Sequence, residues 1–238
     1  MGPVLRASWI DSNASDRDEL PSDFADYLRA LNDLEGTGQT VAYALNPGGE
    51  AMQKLANHVQ RIEVAGHDGP YVPDWLVLTE EPTVEGILDV EEKVAKLNAA
   101  ALGSNYEIIA RAAYHELKSV RGPESNGGAE GLPPALQFGS FSCETVDDEW
   151  DLTLWYDTYR MPAIEKMPGA IGCRRYQSVA GPGKYAVLYE FVSIEARMEN
   201  YEKPIESHSL DPDHPWKVAD YTIHTPMSPS VGSAVSHP

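Results

Sequence analysis

Asp74-Trp75-Leu76-Val77-Leu78-Thr79-Glu80 returns about 110 residues later as Lys184-Tyr185-Ala186-Val187-Leu188-Tyr189-Glu190. Each is an apolar run that ends on a glutamate, and each reads as a strand. Two more pairs keep the same order. Val4-Leu5-Arg6-Ala7-Ser8-Trp9 answers Leu136-Gln137-Phe138-Gly139-Ser140-Phe141, and Ala110-Arg111-Ala112-Ala113-Tyr114-His115 answers Ala219-Asp220-Tyr221-Thr222-Ile223-His224. Three ordered matches make the chain a tandem of domain-sized units, not a solenoid of short repeats.

Between these anchors the periodicity fills in the elements. In the first unit, a strand at 3–10 precedes a helix with the stripe Phe24, Tyr27, Leu28, Leu31 and Leu34. A hairpin at 60–65 and 74–80, a helix at 89–101 and a strand at 106–117 follow. Residues 37–58 have no counterpart in the second unit and read as an insertion. Residues 122–134 have linker composition. The second unit reads as strand 135–143, helix 147–166, strands 170–179 and 184–192, helix 194–205 and strand 216–224. Residues 226–238, rich in Pro, Ser and Gly, read as a disordered tail.

Both units, 1–121 and 135–225, therefore give β-α-β-β-α-β, the ferredoxin-like order. One such unit leaves a sheet face bare, and a second sheet can cover it. The expected fold class is α+β, with tandem ferredoxin-like repeats forming an intramolecular pseudo-dimeric α+β barrel.

The 18 basic and 37 acidic residues give a net charge of −19. That balance argues against nucleic acid or an anionic membrane as partner. No run of apolar residues is long enough for a membrane-spanning helix, and no secretory signal is visible. The expectation is a cytoplasmic protein, monomeric (a pseudo-dimer) or homodimeric. Cys143 and Cys173 have no metal-like or redox-like spacing and read as free thiols. No metal site is expected; the nearest grouping is His208, Asp211, Asp213 and His214. Nucleotide, phosphate-loop and hydrolase motifs are absent.

Trp155-Tyr156-Asp157-Thr158-Tyr159-Arg160-Met161-Pro162, Met167-Pro168-Gly169-Ala170, Cys173-Arg174-Arg175-Tyr176 and Lys184 to Phe191 together resemble the EthD-like branch of the dimeric α+β barrel superfamily. That branch shows a W-Y-D-x-E-H-x-P helix, a P-G turn, an R-R-Y strand and a Y-x-x-x-Y-E strand. The resemblance covers about 60 residues of the second unit. It implies small proteins of polyketide and aromatic metabolism that act as cofactor-free dehydratases, cyclases or decarboxylases, with cofactor-free and haem-dependent monooxygenases as wider relatives. Where the branch has Glu-His, this chain has Tyr159-Arg160. Arginine stays protonated, so it cannot replace that histidine as a base, but it can hold a carboxylate or enolate.

Strand alternation puts His224 with Asp220, and His115 with Arg111, on the more polar face of each last strand. That face is expected to line the space between the sheets. His224 is then the candidate acid/base, oriented by Asp220, with His115 as its first-unit counterpart and Arg160 stabilising negative charge. Both histidines also admit a purely structural reading. Trp155, Tyr156, Tyr159, Phe138, Tyr189 and Glu190 are the expected substrate contacts. Glu80 and Glu190 match in the repeat and read as buried acids or as partners of an arginine.

The expected function is a cofactor-independent lyase or cyclase on a hydrophobic, polyketide-like or aromatic small molecule. A cofactor-free or haem-assisted monooxygenase and a non-catalytic binding module are the alternatives.

Overall fold

The computed structural model describes residues 3–12, 20–125, 131–211 and 213–235. The first half runs β1 (Val4–Ser12), α1 (Ser22–Asn32), β2 (Thr40–Asn46), α2 (Glu50–His58), β3 (Gln60–Arg61), β4 (Trp75–Glu81), α3 (Val84–Ala101) and β5 (Tyr106–Arg121). The second half opens with β6 (Ala135–Cys143) and α4 (Val146–Trp155), followed by a π-helical turn (Tyr156–Arg160) and α5 (Met161–Ile164). It continues with β7 (Ala170–Ala180), β8 (Tyr185–Phe191), α6 (Ile194–Arg197) and a second π-helical turn (Met198–Glu202). A 3-10 turn (Glu206–His208), α7 (Val218–Tyr221), β9 (Thr222–His224) and β10 (Ser230–Ala234) complete the described chain.

The strands pair in the order β2-β4-β1-β5-β7-β8-β6-β10, every pair antiparallel, and β10 closes the ring onto β2. This is a closed eight-stranded barrel. Two βαββαβ halves each supply four strands, and the helices lie outside. Closure leaves neither half with a free sheet face, so the barrel interior packs as one core. Leu5, Trp9, Tyr43, Tyr114, Phe138 and Tyr176 fill it. The opposite residues of the same strands face the helices in two outer layers.

Several expectations need correction. The second strand of the first half is Thr40–Asn46, not 60–65, because it is 40–46 that pairs with β4. The extra segment therefore begins after Asn46 and carries α2 and β3. Residues 216–224 are not one strand, since a helical turn occupies Val218–Tyr221 and only Thr222–His224 pairs with β6. The tail is not wholly disordered either. Ser230–Ala234 is the strand that joins the two halves, pairing with both β2 and β6. Residues 126–130 of the expected linker and 236–238 of the expected tail lie outside the described residues.

The repeat register also shifts. Leu5 pairs with Glu80, and Leu136 pairs with Glu190, so Leu5 corresponds to Leu136 and Arg6 to Gln137. A slip of one residue turns every side chain to the other face of the sheet. Followed outward, Val4 pairs with His115 while its counterpart Ala135 pairs with Ser233. His115 and His224 are thus not equivalent positions.

Candidate functional site

The layer between sheet and helices differs between the halves. In the first half Phe24, Tyr27, Leu28, Leu31 and Trp75 fill it, with Phe24 stacked on Tyr106 at 5.0 Å. In the second half the matching layer holds a cavity of about 80 Å³. That is about half the volume of a cavity that holds benzene, so it takes a planar head group or part of a ring, the rest of a ligand lying toward its opening. Strands β6 and β8 form its floor through Gln137, Gly139 and Tyr189, and Trp155, Tyr156 and Arg160 form one wall. Leu55 and Val59, from and just after α2, reach over from the first half.

The wall owes its shape to the π turn. Thr145 and Asp148 form a capping box that fixes where α4 starts and hence its phase. Pro162 has no N–H to give the carbonyl four residues back, and its ring would crowd that carbonyl. Thr158 Oγ1 donates to Leu154 O at 2.7 Å, a second competitor for the regular ladder. The helix widens by one residue, and the N–H of Met161 donates to Tyr156 O. Met198–Glu202 repeats the device, with Pro204 two residues beyond. Each π turn brings residues five apart into contact. Arg160 lies over Trp155, and Arg197 Nη1 donates to Glu202 Oε2 at 2.5 Å.

Arg160 is 4 % exposed, with its guanidinium carbon 4.5 Å from the Trp155 ring centre and 5.3 Å from that of Tyr201. Its Nη1 donates to Tyr201 Oη at 3.1 Å and lies 3.4 Å from Glu206 Oε1. Its Nε is buried without a partner, and no described residue bonds its Nη2. Glu206 is the one carboxylate among the described cavity residues, and Ser209 Oγ donates to it at 3.2 Å. Burial pushes the Tyr156, Tyr189 and Tyr201 phenols well above their ordinary values, so they remain neutral.

His224 reaches the cavity from β9 with its ring against Phe141. Its Nδ1 is 2.9 Å from Ser228 Oγ and its Nε2 3.3 Å from Thr222 Oγ1. Desolvation, aided by the charge of Arg61, pulls its pKa down to about 3, so the ring is neutral in ordinary buffers. Asp220 does not orient it. The helical turn sends Asp220 outward, where it meets His58 Nε2 at 3.1 Å with its side chain 60 % exposed.

Of the residues singled out in the sequence, Trp155, Tyr156, Tyr159, Arg160, Tyr189 and His224 meet at this cavity. The others do not. Phe138 faces the barrel interior against Trp9 and Tyr114. Glu190 also faces inward, where Arg174 Nη2 lies 2.6 Å from it and Arg174 Nη1 bonds Glu80. His115 shares the outward side of β5 with Ala113, which packs on α3-side residues. The polar faces of the last strands therefore do not line the interior as expected; the face bearing Ala110, Ala112 and Tyr114 does. Glu206 and Gln137 were missed. Gln137 carried a signal, a lone amide between Leu136 and Phe138 in its strand, whereas Glu206 lies in a segment without periodicity.

No family model and no curated protein matches the chain. Solved structures do. A chlorite dismutase variant from Candidatus Nitrospira defluvii, crystallised with cyanide, is 13 % identical with a TM-score of 0.54 over 100 % of this chain and 91 % of that one. A candidate monooxygenase from Fusobacterium nucleatum is 8 % identical, with a TM-score of 0.54 over 99 % of this chain and 93 % of that one. A candidate Dyp-type peroxidase from Shewanella oneidensis, 8 % identical, aligns with a TM-score of 0.51 over 98 % and 93 %. The fold is the dimeric α+β barrel. At these identities the likeness carries the fold alone.

Haem, used by wider relatives of the sequence resemblance, does not fit this barrel's cavity as it stands. A porphyrin far exceeds the available space, and both histidines at the cavity already engage both ring nitrogens. His214 does so through Trp216 and Tyr159, and His224 through Ser228 and Thr222. Among the described residues no cluster of three or more His, Cys, Asp or Glu has the geometry to hold a metal, and no helix is long and apolar enough to cross a membrane.

Proposed function

We propose that the chain is an enzyme, a fused pair of EthD-like units, acting as a cofactor-independent lyase or cyclase on a hydrophobic aromatic or polyketide-like molecule. The observation that carries this reading is the asymmetry of the two outer layers. One half packs solid while the other keeps a cavity with a buried guanidinium, a buried carboxylate and aromatic walls.

The chemistry follows from those groups. Glu206 removes a proton from carbon beside a carbonyl, and the electron pair moves onto the carbonyl oxygen as an enolate facing Arg160. A fixed cation in a dry site stabilises that developing charge without reorganisation. In a dehydration the enolate then expels a β-hydroxyl, which takes the proton from Glu206 and leaves as water. His224 at a pKa of about 3 is a poor base at neutral pH and serves as a hydrogen-bonding wall instead.

The test uses aromatic β-hydroxyketones under anaerobic conditions. Loss of water, abolished in Glu206→Gln, is the expected result. Oxygen consumption with no anaerobic turnover would favour a monooxygenase, and binding without turnover a binding module.

A further inference from the structure

The unused edge of Arg160 points to a narrower ligand class. A guanidinium has two recognition edges, and here the Nη1 corner is committed to Tyr201 and Glu206. The other edge, Nε with Nη2, has no partner among the described residues, and its Nε is fully buried. Leaving a charged donor buried and unbonded is costly, so such an edge persists where something else completes it. The Nε–Nη2 edge presents two parallel N–H bonds, which match two oxygens sharing one negative charge.

Its surroundings agree. Trp155 and Tyr201 pack on the guanidinium at 4.5 and 5.3 Å, and Arg160 lines the cavity with its Nε shielded, so a ligand that completes the edge must seat closely against it. Gln137, also on the cavity, gives its Oε1 to Arg197 at 2.6 Å, and no described residue bonds its amide nitrogen. The cavity therefore offers unused N–H donors beside its one carboxylate, Glu206, which the Nη1 corner of Arg160 neutralises.

We infer that the Nε–Nη2 edge of Arg160 binds a planar anion with two adjacent oxygens, carried by an aromatic ligand whose rings extend toward the cavity opening. A carboxylate and the enolate of a 1,3-diketone share that chemistry. The inference rests on the reading of this cavity as the substrate site and narrows it. A carboxylate held there is an anchor and not a leaving group, because the guanidinium stabilises the charge that decarboxylation would have to remove.

The test uses 1-naphthoate, 1-benzoylacetone and the neutral 1-naphthalenemethanol, with binding read from Trp fluorescence and thermal shift. The two anions are expected to bind more tightly than the alcohol. Arg160→Lys, which keeps the charge but loses the fork, is expected to weaken both anions about tenfold or more relative to any change in the alcohol. Alcohol binding to the variant also reports that the cavity is intact. The tighter of naphthoate and benzoylacetone identifies the source of the anion. Should Arg160→Lys not fold, the unaltered protein decides: an enolate band of benzoylacetone at a pH where the free diketone is neutral, or naphthoate bound more tightly than the alcohol, supports the inference, and the absence of both overturns it.

Equal affinity for alcohol and anions, or no change in Arg160→Lys, would overturn it as well. Anion binding without turnover on any β-hydroxyketone would remove the lyase reading and leave this inference standing. Failure of all three probes to bind would remove both.

Discussion

Arg160 lies over Trp155, five residues earlier in the chain, at 4.5 Å. In a regular α-helix those positions stand about 140° apart around the axis and cannot touch. The first half provides the control. Phe24 and Arg29 have the same spacing on a regular helix, and there Arg29 points to solvent and pairs with Asp26 at 2.7 Å. Leu31 stands where the second half has Pro162. The half with the proline and the π turn carries a buried cation in a cavity, and the half with the regular helix carries a surface ion pair.

The Arg160–Glu206 contact should behave as a coupled buried pair. Arg160→Met leaves Glu206 with no cation and is expected to cost about 3–5 kcal/mol in urea unfolding. Adding Glu206→Gln should recover more than half of that loss, because the stranded carboxylate is then gone. Strict additivity of the two substitutions would mean that the 3.4 Å contact carries no coupling.

Inside the barrel Arg174 stands between Glu80 and Glu190, equivalent residues of the two halves. Arg174→Met strands two carboxylates and should also cost about 3–5 kcal/mol. Glu190→Gln should be mild at pH 7. Burial raises the Glu190 pKa above its ordinary value, and Arg174 opposes this without cancelling it. A raised carboxyl contributes stability that is present at low pH and lost as pH rises through its folded pKa. The variant should therefore gain on the parent between pH 4 and pH 7. A gap that widens against the variant over that range would contradict the assignment.

His224 predicts the opposite slope. Its folded pKa of about 3 lies below the unfolded 6.5, so the unfolded chain binds the extra proton between those values. The contribution is complete above pH 6.5 and is lost as pH falls, by about 1 kcal/mol from pH 7 to 5.5. His224→Asn should flatten that part of the stability profile, and an imidazole resonance titrating near 6.5 in the folded protein would contradict the desolvated, neutral ring.

The barrel was legible because strands such as Trp75–Glu81 and Tyr185–Phe191 are dense apolar runs that state their own type. Their faces were harder. Both sides of β1 and β6 are buried, so alternation could not tell inside from outside, and Arg6 could be set against Phe138 when its counterpart is Gln137. Alternation sets Asp220 and His224 on one strand face because nothing local marks Val218–Tyr221 as a helical turn. The aromatic wall was readable from Trp155 to Arg160. The inward turn of Arg160 was not, since it depends on how Pro162 disturbs the ladder.

The last strand offers the sharpest test of the fold. Removing everything after Thr225 takes away β10, whose residues pair with both β2 and β6. It also removes Ser230, which accepts from Trp9 Nε1 at 2.9 Å, and the buried side chains of Met227 and Val231. Each of those two apolar groups is worth about 1.5–3 kcal/mol. The larger effect is topological. β2 and β6 become facing edges with unmet backbone groups, and the cavity loses Pro229 together with the α2 packing that Val231 anchors. The truncated chain should lose its cooperative melt and associate through the opened seam, as seen by calorimetry and light scattering. A monomer that still melts within a few degrees of the full chain would mean that the barrel closes without its final strand.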